Sequence, residues 1–158
     1  MTEASEPIIT GADEFLVAFD TLAQAIRRAR GATALRDGAD PLTFSQFALL
    51  QPLATVQAAR VSDLASGAGV SPSTATRILD ALERRAIVRR TRAADDRRGV
   101  TVTLTDDGRR ALDRQVTWML GRRRTFYDQL PEAERELVSD LLVRLATLID
   151  ELAAGPGA

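Results

Sequence analysis

Hydrophobic positions recur most regularly between residues 71 and 84, at spacings of three and four residues. That period predicts a helix with one buried face, formed by Ala75, Ile78, Leu79 and Leu82. Ser71 can cap the first free amides of the helix. Pro72 stands at the first helical position, where its missing N–H costs nothing.

The segments beside this helix predict a shorter helix and a β-hairpin. Residues 61–65 form a short helical stretch, which Gly67 and Gly69 end in a tight turn. Residues 87–92 predict one strand. Residues 100–104 predict another, because valine and leucine alternate there with threonine. Two helices and a hairpin in this order predict a winged helix-turn-helix.

Helical patterns also precede and follow this lobe. Residues 12–30 carry a wide apolar stripe, and residues 43–56 predict a helix that is interrupted near Pro52. A long helix is predicted over residues 105–127, where threonine can cap the start. A last helix is predicted over residues 131–152, and it is rich in leucine.

The leucine-rich last helix has more apolar side chains than a lone peripheral helix needs. We expect it and residues 12–30 to bury these side chains against a second copy of the chain. Packing within one chain is the alternative. The predicted fold class is mainly α (α+β), with a winged helix-turn-helix lobe and a helical dimerisation layer from the N- and C-terminal helices.

The predicted organisation is a single domain over residues 12–153. Its winged helix-turn-helix lobe covers residues 43–105, and its helical dimerisation region covers residues 12–30 and 106–152. Residues 1–11 and 154–158 are expected to be flexible termini.

The amino-acid composition excludes several kinds of binding and catalytic site. The chain has no cysteine and no histidine, which excludes a disulfide scaffold, thiolate zinc sites, cysteine-based peroxide sensing and histidine acid–base catalysis. It also lacks a glycine-rich phosphate loop and a plausible carboxylate pair, so we expect no enzyme, no cofactor and no metal. We expect a cytoplasmic protein without membrane contact, because no long apolar run or secretion signal is evident.

Positive charge is concentrated around the predicted helix-turn-helix. The whole chain has a net charge of −1, but residues 71–98 contain eight arginines against four acidic residues. This asymmetry is what a localised phosphate-binding surface requires. In the predicted helix of residues 71–84, the face opposite the apolar side carries hydroxyl groups and arginine, which can hydrogen-bond to base edges and phosphates.

The same stretch resembles the multiple-antibiotic-resistance regulator (MarR) family of winged-helix transcription factors. The most specific match is the wing signature, which reads Asp96-Arg97-Arg98, five further residues, and then Leu104-Thr105. The sequence from Ser71 to Arg77 is also similar to the family's recognition helix, and the resemblance covers roughly residues 13–152. Two positions depart from the family: Ala86, where glycine is usual, and Asp95, where many members carry arginine.

The resemblance implies which residues carry the function. The implied DNA contacts are Ser71, Ser73, Thr74, Thr76 and Arg77 on the recognition helix, with Arg97 and Arg98 on the wing. Asp96 is implied to brace the wing by pairing with an arginine. A ligand pocket is implied at Phe44, Phe47 and Trp118. Arg89, Arg90 and Arg92 could back the wing and reach phosphate, or could be solvated.

The resemblance further implies a homodimeric, sequence-specific transcriptional regulator that binds double-stranded DNA at a pseudo-palindromic operator. Repression is the expected mode, although the sequence does not separate a repressor from an activator. A small aromatic or phenolic effector is expected to change DNA affinity. The alternative is a winged-helix module for protein contact, without sequence-specific DNA binding.

Overall fold

The computed structural model describes residues 11–31, 42–92 and 100–155. The elements, in chain order, are α1 (Gly11–Gly31), α2 (Phe44–Leu50), a 3-10 helix (Gln51–Ala54), β1 (Ala58–Arg60), α3 (Val61–Gly67), α4 (Pro72–Arg84), β2 (Val88–Arg92), β3 (Val100–Leu104), α5 (Asp106–Gln129) and α6 (Glu132–Ala154). This confirms the predicted mainly α fold with a winged helix. The chain divides into two compact units within α5, between Gln115 and Val116.

The core of the first unit lies beneath α4. Ala75, Leu79 and Leu82 are fully buried, as the helical period predicts, and Ile78 is partly buried. They share this core with apolar side chains from the neighbouring elements: Leu49, Leu50, Leu53, Leu64, Val102 and Leu112. Burying a leucine side chain stabilises the fold by roughly 1.5–3 kcal/mol. The buried face of α4 therefore fixes which of its side chains remain outside.

The sheet has three antiparallel strands in the order β1-β3-β2. The hairpin of β2 and β3 was predicted, but β1 was not. β1 has only three residues, too few to show an alternating pattern. Its Ala59 pairs with Val102 of β3, and Val102 also pairs with Arg90 of β2. β3, the central strand of the sheet, is therefore hydrogen-bonded on both sides.

The predicted interruption near Pro52 lies where α2 gives way to the 3-10 helix. α2 begins with a capping box, in which the Thr43 hydroxyl accepts from the Gln46 amide and the Gln46 side chain accepts from the Thr43 amide. α2 ends at Leu50, and Pro52 lies in the first turn of the 3-10 helix. The Arg109 guanidinium of α5 donates to the carbonyl of Leu53 at 3.2 Å, which ties this short helix to α5.

The second unit contains the end of α5 and all of α6. None of the residues of α6 is buried. Its exposed large apolar side chains are Leu137, Leu141, Leu142, Val143, Ile149 and Leu152. The corner before α6 is fixed by Arg135, whose Nε donates to the Leu130 carbonyl at 2.9 Å and whose guanidinium lies over the Tyr127 ring.

α1 belongs to the first unit and also exposes large apolar side chains, namely Phe15, Leu16, Val17, Leu22 and Ile26. Such surface on a helix is typical of a site that another protein surface covers. Across the described ranges, none of the helices is both long enough and apolar enough to cross a bilayer.

Candidate nucleic-acid interface

Ser71 opens α4 and organises the hydroxyl groups of its first turn. Its Oγ accepts from the Thr74 amide at 3.2 Å, which is the predicted N-cap. The same hydroxyl donates to Thr74 Oγ1 at 2.9 Å and lies 3.0 Å from Ser73 Oγ. A hydroxyl has one proton, so with Ser71 donating to Thr74, Ser73 is the donor to Ser71. Thr74 then keeps its own hydroxyl proton for a further partner.

The next turn of α4 presents Thr76 and Arg77. Both side chains are exposed. The Thr76 hydroxyl donates to the Pro72 carbonyl at 2.9 Å, which leaves its oxygen able to accept. Within the described ranges, no hydrogen bond or ion pair involves Arg77. A guanidinium with all its donors available can form a bidentate pair of hydrogen bonds with a guanine edge or a phosphate.

The predicted recognition residues therefore lie together on one side of α4. Ser71, Ser73, Thr76 and Arg77 are exposed, and Thr74 is partly exposed beside them. Recognition helices in this architecture contact base edges with their N-terminal residues. The grouped side chains lie in the first two turns of α4, on the side away from the buried leucines.

The predicted wing begins from paired strand ends. β2 and β3 are paired as far as Arg92 opposite Val100. Asp96, Arg97 and Arg98 lie between these ends and outside the described residues. Their roles in DNA binding and in bracing the wing stay predictions.

Arg90 forms an ion-pair cluster with α4 that sequence reasoning missed. Its Nη2 lies 2.6 Å from Asp80 Oδ1 and 2.6 Å from Glu83 Oε2, and its Nε donates to Glu83 Oε2 at 2.9 Å. The main-chain amide of Arg90 donates to the other oxygen of Glu83, Oε1, at 3.1 Å. The side chain of Arg90 is 24% exposed, against 42% for Asp80 and 38% for Glu83.

Hydrogen bonding shifts the pKa values of Glu83 and Arg90. The bond from the Arg90 side chain, with that from the Arg90 amide, holds the pKa of Glu83 below its ordinary value. The bond to Glu83 raises the pKa of Arg90, and the bond to Asp80 adds to this. The sequence does contain a signal, since acidic residues at positions 80 and 83 share one side of a helix and an arginine-rich strand follows.

The predicted ligand-pocket residues lie in different units. Phe44 and Phe47 are on α2 in the first unit, where Phe47 is buried and Phe44 is 42% exposed. Trp118 is on α5 in the second unit and is 61% exposed. The pocket itself stays a prediction.

Residues 42–100 match the model of the MarR family. These residues include α4, β2 with Arg90, and the first residue of β3. The winged-helix lobe of this chain is a MarR-family domain. MarR-family proteins are transcription regulators and not enzymes. No curated protein matches the chain.

Solved MarR-like structures extend the similarity beyond this domain. FabT of Streptococcus pneumoniae, solved in complex with DNA, has a TM-score of 0.68 at 19% identity, covering 89% of this chain and 96% of its own. PcaV of Streptomyces coelicolor with its natural ligand has a TM-score of 0.64 at 22% identity, covering 90% and 97%. BpsR of Bordetella bronchiseptica, whose DNA binding is regulated by 6-hydroxynicotinic acid, has a TM-score of 0.58 at 26% identity, covering 80% and 98%.

Proposed function

We propose that this protein is a homodimeric, sequence-specific DNA-binding repressor of transcription whose affinity for its operator is changed by a small aromatic or phenolic ligand. The carrying observation is the exposed face of α4, where hydroxyl groups and Arg77 lie together on a capped helix of a MarR-family domain. As a regulator of transcription, it would act in the cytoplasm, where it has access to DNA.

The recognition helix supplies base contacts. Arg77 would bind a guanine edge through two hydrogen bonds, which is the commonest specific contact of arginine in the major groove. Thr76 would accept from an amino group of adenine or cytosine, because its proton is already donated to Pro72. Ser71, Ser73 and Thr74 would contact phosphate or bases at the start of the helix, where the dipole favours an anion.

The wing would add contacts in the neighbouring minor groove. Arg97 and Arg98 would follow its negative potential, which depends on groove width more than on individual bases. Asp96 would brace the wing by pairing with an arginine, because a carboxylate aimed at phosphate would be repelled.

Dimerisation would cover the apolar side chains of α1 and α6. Exposed leucines at this density are a liability for a monomer and are typical of an interface. A two-fold dimer presents two recognition helices about 34–36 Å apart, one turn of DNA, so the operator would be a pseudo-palindrome.

A ligand would regulate DNA binding by favouring one conformation over another. BpsR and PcaV, which are similar in fold, provide the support. The DNA binding of BpsR is regulated by 6-hydroxynicotinic acid, and PcaV has been solved with its natural ligand. We propose that Phe44, Phe47 and Trp118 contribute to the site. The effector must bind the DNA-free conformation more tightly, because only differential affinity shifts a population.

Footprinting on DNA upstream of the protein's own gene tests this function. We expect protection of two half-sites related by a two-fold axis, and weaker protection in the presence of an aromatic acid or a phenol that binds. Binding should weaken steeply as salt rises, because each phosphate contact releases counterions. Uniform weak binding without a protected site would favour the alternative, a winged helix that contacts only proteins.

A further inference from the structure

The recognition helix carries two carboxylates that DNA would repel. Asp80 and Glu83 both lie on α4, and both are partly exposed. An unpaired carboxylate on a surface that approaches phosphate opposes binding. In this protein a single residue from another element, Arg90 of β2, pairs with both.

Glu83 binds the main chain of β2 at Arg90 as well as the Arg90 side chain. Among the strands of the described residues, β2 lies at the edge of the sheet, because it pairs with β3 alone in the order β1-β3-β2. Its outward amides therefore have no strand partner. Glu83 Oε1 accepts from one of them, the amide of Arg90, while Glu83 Oε2 accepts from the guanidinium. This joins the backbone of the strand directly to the helix.

The connection lies close to the start of the wing. Arg90 is two residues before Arg92, where β2 ends, and the predicted wing residues follow. A contact that fixes β2 against α4 therefore also fixes the position of the start of the wing relative to α4.

We propose that Arg90 is a positioning residue for DNA binding, which fixes the wing to the recognition helix and neutralises Asp80 and Glu83 without itself contacting DNA. This inference rests on the proposed function. It differs from a phosphate-contact role, in which the guanidinium would leave the carboxylates and bind the backbone of the DNA.

Glu83→Gln separates the two roles because charge and geometry predict opposite results. Removing a negative charge near DNA should strengthen binding, and it would also free Arg90 to reach phosphate. If Arg90 positions the wing, Glu83→Gln instead weakens binding to the selected operator about tenfold, the size expected when charge-assisted hydrogen bonds are lost. The salt dependence should keep the wild-type slope, since no phosphate contact is lost.

Two further variants complete the test. Arg90→Lys keeps the charge but loses the fork that binds Asp80 and Glu83 together, so we expect a similar loss of operator affinity. Asp107→Asn is the control, because it removes the same charge as Glu83→Gln and breaks a solvent-exposed pair with Arg110. Its operator affinity should stay within about twofold of wild type, as expected for a surface ion pair.

Operator affinity is measured for folded protein, with circular dichroism as the check on each variant. Operator binding by Glu83→Gln that equals or exceeds that of wild type would overturn the positioning role. Wild-type operator affinity in Arg90→Lys would also overturn it. That variant keeps the test informative if Glu83→Gln does not fold. Wild-type protein without any site preference would be a different result, since it overturns the proposed function and this inference with it.

Discussion

Thr105 Oγ1 donates a hydrogen bond to the carbonyl of Ala86 at 2.5 Å, and Ala86 has a φ of +55°. The amide of Thr105 also donates to the Ile87 carbonyl at 3.1 Å. These bonds join the turn after α4 to the start of α5. The sequence placed alanine where the family usually has glycine, and the structure keeps the left-handed backbone despite the side chain.

Ala86→Gly should stabilise the protein. A left-handed backbone brings the alanine Cβ close to its own main chain, and glycine has no Cβ. After allowing for the greater freedom of glycine in the unfolded chain, we expect a gain of about 0.5–1 kcal/mol in the free energy of unfolding. Urea denaturation measures it. Ala68→Gly is the control, because Ala68 follows α3 with φ −85° and should gain nothing; equal effects at both sites would contradict the explanation.

Gly108→Ala should destabilise the same junction. A Cβ at Gly108 would lie 1.9 Å from the Ile87 carbonyl oxygen, so the backbone would have to move. We expect a loss of roughly 1–3 kcal/mol, as in overpacked sites. Gly121→Ala on the same helix meets nothing within 4 Å and should instead stabilise by roughly 0.5–1 kcal/mol. Thermal unfolding of the two variants should show midpoints on opposite sides of the wild-type value.

Acid should remove the contribution of Glu83 to stability. Its folded pKa lies below the ordinary value of 4.5, so the stabilisation is present above that pH and disappears as the pH falls through the folded pKa. We expect Glu83→Gln to be less stable than wild type at pH 7, and the difference to be smaller at pH 3, which lies below the ordinary pKa of a glutamate. Urea denaturation at the two pH values checks this. A difference that does not change with pH would show that the Glu83 charge is not responsible.

The exposed leucines of α6 should be required for dimerisation. Leu141 is 49% exposed, and an arginine there would have to be buried without a partner in an apolar interface. We expect wild type to sediment at twice the mass of one chain at micromolar concentration, and Leu141→Arg to shift the equilibrium toward monomer about tenfold or more. Ser139→Arg adds the same charge on the other side of α6 and should remain dimeric. A monomeric wild type would remove the basis for a palindromic operator.

Local signals in the sequence were sufficient for the main features of the first unit. The cap at Ser71 and the buried leucines of α4 depend on neighbouring residues, so a helical period predicts them. The Arg90 cluster was missed because it joins α4 to a strand, and its partners become evident only when the chain is folded. β1 was missed for a similar reason, since its three residues become a strand only by pairing with β3. The ligand pocket depends on tertiary structure in the same way and stays a prediction.

The central claim is that α4 reads bases through its exposed face. The most direct measurement is a binding-site selection with wild type, Arg77→Ala and Arg84→Ala at one salt concentration. Arg84 is a matched control, because it is an exposed arginine in the last turn of the same helix. We predict that Arg77→Ala loses roughly 1–3 kcal/mol of DNA-binding free energy per half-site and loses its preference at one base pair in each half-site. Arg84→Ala should keep the base preferences of wild type. An Arg77→Ala profile identical to that of wild type would contradict the assignment of α4 as the recognition helix.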